Sequence, residues 1–179
     1  MQKPTKILSK EHENILKVAE ALSKECYAVE SGKELDKIFF KRAIDFIRNY
    51  ADKFHHAKEE NILFVELCKD HVDMHCNPTE QMLHEHDLGR NFVKNLEKAL
   101  ERDIKTKIIE NARAYVRLIN EHIFKEDNIL YPMADEILDK KTQEQMLEKF
   151  KQAEHKKFKK GVKEKYLSIA KEFEKRNKR

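Results

Sequence analysis

The sequence predicts an all-α fold, an antiparallel up-down-up-down four-helix bundle with an additional C-terminal amphipathic helix. Three observations predict it. The 179 residues include only three Gly and three Pro, and 39% are charged, a composition that suits helices. Apolar residues recur at alternating spacings of three and four, the period of one helix face. The links between these periodic segments are short, which makes successive helices antiparallel neighbours.

The first segment runs from about Pro4 to Glu30 and stops near Ser31-Gly32, a plausible C-terminal glycine stop. Its inward stripe is Leu8, His12, Ile15, Ala19, Leu22 and Cys26. The second covers roughly Glu34 to Cys68, where Phe40, Ile44, Ile47 and Ala51 lead to His55 and Glu59. At the third, Asn77 can cap, Pro78 suits the first helical position, and Glu80 sits where a capping-box acid belongs. That segment reaches about Arg102 and turns His86, Gly89, Val93, Leu96 and Leu100 inward. The fourth spans about Ile104 to Tyr131, with Pro132 helping to end it. Its stripe is Ile108, Ala112, Tyr115, Ile119, His122 and Glu126. The fifth begins near Lys141, and Gly161 is its weak point. Residues 1–179 form one expected domain, with the bundle in 1–134 and a basic helix packed on it in 135–179.

The charge is unevenly placed. Residues 156–179 hold eleven Lys/Arg and three Glu, a balance of +8, while the remainder has 26 basic and 30 acidic residues. A basic helix can touch nucleic acid or anionic lipid. Here Phe158, Val162, Tyr166, Ile169 and Phe173 recur at helical spacing, so the expectation is a helix docked on the body, with no nucleic-acid or membrane partner. No run of 18 apolar residues spans a membrane, and the N-terminus lacks the apolar stretch of a signal peptide. Three cysteines without a CxxC pattern argue against a disulfide scaffold and for a cytoplasmic location.

The chain also repeats itself. HHAKEENILF at residues 55–64 returns as EHIFKEDNILY at residues 121–131, and Glu11-His12-Glu13 returns as Glu85-His86-Asp87. This is a duplicated helical hairpin that puts His, or His plus Glu, on the buried side of every bundle helix. A carboxylate in a bundle interior is costly unless something pairs with it. A metal supplies the partner, because residues at i and i+4 share a helix face and each HxxxE offers two ligands to one side. His12 and His86 lie early in their helices, His55 and His122 late, so antiparallel packing brings all four to one height. Four imidazoles and two carboxylates form a nitrogen and oxygen set suited to Fe, Mn or Zn, and two Glu available to bridge make a dinuclear centre natural. No Glu stands three residues before any His, so the Glu-x-x-His diiron pattern is absent, as is HExxH.

His12, His55-x-x-x-Glu59, His86 and His122-x-x-x-Glu126, with the phrases HHAKEENILF, EHDLGR and EDNILYP, resemble the hemerythrin HHE cation-binding family over roughly residues 5 to 134. The resemblance implies a non-haem diiron site in a four-helix bundle. Glu59 and Glu126 are then bridging carboxylates, and His12, His55, His86 and His122 terminal ligands. It implies two iron ions, also bridged by an oxo or hydroxo group, with Mn or Zn as alternatives. Four His and two Glu resemble the bacterial branch that includes diiron proteins repairing iron centres. The expected function is binding or redox processing of O2, NO or H2O2, with an external electron donor if catalytic. A non-catalytic oxygen or iron sensor, or an iron-handling protein, is the alternative, and turnover under reductant separates the two.

Other polar residues carry blander expectations. His56 turns about 100° from His55 on an α-helix and is expected to be exposed or to support the ligands from behind, with ligation the lesser alternative. Glu60 and Asp127 are expected to face solvent or to bond across helices, and His84 to lie on the surface. His71, His75 and Cys76 belong to a solvated connection. Tyr50 and Tyr115 are expected to pack in the core with their hydroxyls satisfied, and Ile15, Phe54, Ile119 and Phe124 to shield the site.

Overall fold

A computed structural model of the chain describes residues 2–69, 72, 78–157 and 161–177. Among these residues every regular element is helical. Helix α1 is Pro4–Glu30. Helix α2, residues 37–67, is α-helical over Lys37–Phe46, π-helical over Ile47–His56 and Glu59–Leu63, and α-helical again over Phe64–Leu67. Helix α3 is Thr79–Glu101. Helix α4, residues 105–137, passes through a π-helical stretch at Glu126–Leu130 before ending as Tyr131–Ile137. Helices α5 and α6 are Lys140–Lys157 and Val162–Asn177.

The ends follow from local chemistry. Gly32, at φ 103°, closes α1, and Lys33 N–H donates back to the Ala28 carbonyl at 3.0 Å. The Asp36 carboxylate caps α2 by accepting from Phe39 N–H at 2.9 Å. The predicted cap Asn77 lies outside the described residues, as do His71, His75, Cys76 and Phe158; α3 starts with Pro78 at its cap position. Two expectations are corrected. Pro132 does not end α4, because the π-turn before it already breaks the regular hydrogen-bond ladder and Pro132 sits in the first turn of the next α-helical stretch, where its missing N–H costs little. The fifth segment is two helices, with Gly161 at φ 89° where α6 begins.

Helices α1 and α3 each pack against both α2 and α4, the arrangement of an antiparallel bundle. All of the predicted inward stripes are buried. They form two apolar clusters, one containing Ile15, Phe54, Ile119 and Ile123, the other Leu8, Leu63, Phe64 and Tyr131. Helix α6 docks along α1 as expected and buries Tyr166, Ile169, Ala170 and Phe173 in the first cluster, with the Phe173 ring stacked on Phe39 at 4.7 Å. Its charges are tied to the body: Arg42 pairs with Glu172, and Arg176 with Asp36 and Glu25. Helix α5 covers the second cluster with Met146 and Phe150. The polar residues of the four inward stripes lie between the two clusters.

Candidate metal centre

His12, His55, Glu59, His86, His122 and Glu126 are all buried, none more than 2% exposed. They converge in two groups of four that share Glu59: His12, His55, Glu59 and Glu126 in one, and His56, Glu59, His86 and His122 in the other. Glu126 also spans the groups. Its Oε2 lies 3.3 Å from His12 Nε2 and its Oε1 3.3 Å from His122 Nε2. Glu59 Oε2 stands 3.5 Å from both His55 Nε2 and His86 Nε2. These ion-pair distances lack hydrogen-bond alignment, and Glu59 Oε2 and both Glu126 oxygens are buried with no hydrogen-bond partner among the described residues.

The imidazoles are aimed from behind. Each Nδ1 faces a carboxylate that accepts from it: His12 to Asp127 at 3.1 Å, His55 to Glu11 at 3.0 Å, His86 to Glu60 at 2.7 Å and His122 to Glu85 at 2.9 Å. Those carboxylates are held in turn. Ser9 donates to Asp127, Lys58 to Glu11, Arg90 to Glu60, and Lys125 and Gln81 to Glu85. With the Nδ1 hydrogens committed, the Nε2 lone pairs point inward, as for metal-ligating histidines. His12 and His55 Nε2 are 2.9 Å apart, and His86 and His122 Nε2 are 3.0 Å apart. Two lone pairs that close need a proton or a cation between them.

Electrostatics of the metal-free protein give the same answer. Burial lowers the His12 pKa, but the bond to Asp127 and the close Glu126 carboxylate outweigh it and raise it to about 9. For His122, burial is outweighed by the charge of Glu126 and by the bond to Glu85, and the pKa reaches about 10. Glu126 stays well below the usual carboxylate range in spite of burial, because those two imidazoles flank it. Burial and the charge of Glu126 push Glu59 well above that range. Protons thus stand in for cations at the centre of the site.

The two halves are not equivalent. His56 is buried, so the exposed alternative is corrected. Its ring stacks on His86 at 3.7 Å, its Nδ1 lies 3.6 Å from Asp52, and neither nitrogen has a hydrogen-bond partner among the described residues. On the other side, the Tyr131 hydroxyl donates to Glu59, its oxygen lies 3.3 Å from His12 Nε2, and its ring stacks on His12 at 5.5 Å. Phe64, the counterpart of Tyr131 in the repeat, lies beside His86.

The Hemerythrin HHE cation binding domain matches the chain over residues 3–134. The chain belongs to the hemerythrin HHE family. The comparisons with curated proteins and with solved structures found no match. In this HHE domain the residues fit a metal: converging Nε2 lone pairs, two carboxylates shared between donor groups, and buried carboxylate oxygens with no other partner among the described residues.

The six residues named from the sequence do converge, whereas Glu11, Glu85, Lys58 and Lys125 behind them were not anticipated. The signal for Glu11, Glu85, Lys58 and Lys125 was the repeat itself, which keeps all four in matching places. Glu60 and Asp127 bond across helices, one of the two expected alternatives, and His84 is exposed as expected. Tyr50 accepts from Asn14 at 3.3 Å. Two expectations fail. The Tyr115 hydroxyl has no hydrogen-bond partner among the described residues, and Phe124, on the outer face of α4, is 62% exposed and shields nothing.

Proposed function

We propose that this HHE-domain chain holds two iron ions and uses them to bind or reduce a small ligand, O2, NO or H2O2. The observation that carries the reading is the sharing of Glu59 and Glu126 between two histidine groups, which suits two ions rather than one. Two ions in such a site supply reversible binding and electron transfer to a small molecule. The protein's part is to hold the imidazoles in one tautomer through the four carboxylates and to exclude water with the two apolar clusters. The unequal halves give the ligand a side: His12 and His55 offer two imidazoles, whereas His56, His86 and His122 offer three. The two-imidazole side is also where Tyr131 stands, its hydroxyl donating to Glu59 and its ring stacked on His12. Turnover would require an external electron donor.

The test is purification under nitrogen without chelator, metal analysis, and optical spectra before and after exposure to air. About two irons per chain, with near-ultraviolet charge-transfer bands appearing on oxidation, support the reading. Zinc alone, or no metal in a fully helical protein, overturns it. Glu126→Ala should lower iron content sharply, and unchanged iron would remove Glu126 from the ligand set. Consumption of NO or peroxide under reductant would then mark an enzyme, and its absence a carrier or sensor.

A further inference from the structure

The two shared carboxylates of the centre are not placed alike. Glu126 presents one oxygen to each half, Oε2 at 3.3 Å from His12 Nε2 and Oε1 at 3.3 Å from His122 Nε2. Glu59 presents a single oxygen to both. Its Oε2 is 3.5 Å from His55 Nε2 and 3.5 Å from His86 Nε2, imidazoles that belong to different donor groups. That Oε2 has no hydrogen-bond partner among the described residues, and neither has either oxygen of Glu126. The remaining oxygen, Glu59 Oε1, accepts from the Tyr131 hydroxyl. Three carboxylate oxygens are therefore open to a cation and the fourth is taken.

The repeat supplies the reason. Glu59 and Glu126 hold the same place in the duplicated hairpin, and so do Phe64 and Tyr131, each five residues further along. Both rings lie against a histidine of a neighbouring helix, Tyr131 on His12 at 5.5 Å between centroids and Phe64 on His86 at 6.0 Å. The two frames match, and their chemistry differs by one oxygen atom. The half that carries Tyr ties down a carboxylate oxygen. The half that carries Phe has no hydroxyl to do so, and Glu126 keeps both oxygens free. Tyr131 and Glu59 are both buried, so bulk water does not compete for their bond. Beside a cation Glu59 is charged, and a hydrogen bond to a charged carboxylate is of the strong kind.

We propose that Tyr131 is a positioning residue that sets how Glu59 bridges: by holding Oε1 it makes Glu59 bridge through Oε2 alone, while Glu126 bridges through both of its oxygens. The inference rests on the reading that two metal ions occupy the site, and does not depend on their being iron. The centre is then built from two unlike bridges. The hydrogen bond also draws electron density from Glu59, which is a lever on the potential of the centre.

The test is the crystal structure of the metal-loaded parent and of metal-loaded Tyr131→Phe, which keeps the ring on His12 and removes the hydroxyl. In the parent Glu59 should touch both ions through Oε2, with Oε1 on Tyr131. In Tyr131→Phe the freed Oε1 should turn to one of the ions, so that Glu59 bridges as Glu126 does. Infrared difference spectra of metal-loaded against metal-free protein, with glutamate carboxyls labelled with 13C, read the same change in solution. The parent should show two distinct pairs of carboxylate stretches, and Tyr131→Phe should lose one pair while metal content is unchanged. Glu59 bridging through both oxygens in the parent, or a spectrum indifferent to Tyr131→Phe, overturns the proposal and leaves the two-ion reading standing. A bond from the Tyr131 oxygen to an ion, or a loss of metal in Tyr131→Phe, overturns it as well, because the hydroxyl would then hold metal rather than choose a bridge. A parent whose metal does not touch Glu59 overturns the two-ion reading and this proposal with it.

Discussion

His56 and Ile123 occupy the same place in the two halves of the repeat, one residue after His55 and His122, yet only His56 brings nitrogens to the site. Spacing alone could not make that distinction, since an α-helix turns adjacent residues about 100° apart. His55 and His56 are both buried because α2 is flanked on two sides: His55 meets His12 of α1, and His56 meets His86 of α3. His56→Leu keeps the volume and removes the donor, so iron content should fall from about two to about one per chain. Two retained irons would limit His56 to stacking on His86. Gly89 makes a second residue-scale case. It lies inside α3, and the Cβ of Gly89→Ala would meet its neighbours at ordinary contact distance. Helix propensity alone should then stabilise the protein by about 0.5–1 kcal/mol in urea unfolding, and a loss of stability would show that Leu118 and Tyr115 beside it cannot accept even a methyl group.

At the scale of the element, the π-helical stretches decide where the donors point. Ile47, Ala51, His55 and Glu59 are separated by three successive spacings of four, more than an α-helix of 3.6 residues per turn keeps on one face. A wider turn holds them there, and single π-turns of this kind gather at functional sites. That run of fours was the legible trace of the π-helix. Lys58, one residue before Glu59, is 1% exposed, lies 3.7 Å from the centre of the Phe54 ring, and holds Glu11 behind His55. Lys58→Ala would leave the Glu11 carboxylate buried without its cation, a loss of roughly 3 kcal/mol or more. Chemical denaturation of the metal-free variant measures that loss, and iron retention should weaken in parallel as His55 loosens. Stability within 1 kcal/mol of the parent, a margin typical of exposed ion pairs, would mean that water replaces the lysine.

For the whole molecule, the site sets how stability depends on pH. In the metal-free protein His12 and His122 have pKa values raised to about 9 and about 10. Their contribution is complete below the unfolded value near 6.5 and is lost as pH rises through those folded values. His55 and His56 are pushed the other way, by burial first and then by neighbouring imidazoles, so the unfolded chain takes up protons there below about 6.5 and stability falls on the acid side. The melting temperature of metal-free protein should therefore peak near pH 6.5. Metal replaces the protons on His12 and His122, so the loaded protein should lose the alkaline decline. A metal-free profile flat from pH 6 to 10 would contradict the raised values.

The sequence by itself determined the helical faces, the docking stripe of the last helix and the six residues His12, His55, Glu59, His86, His122 and Glu126 that the fold brings together. Those are properties of spacing along one chain, and the duplication states the donor pattern twice. The tertiary structure alone decided that His56 joins them, that Glu11, Glu60, Glu85 and Asp127 each hold an imidazole, and that Tyr131 reaches the site while the Tyr115 hydroxyl is left without a hydrogen-bond partner among the described residues. Each of these depends on which neighbour stands against which side of a helix, and a π-turn shifts that side without changing the composition that makes the helix.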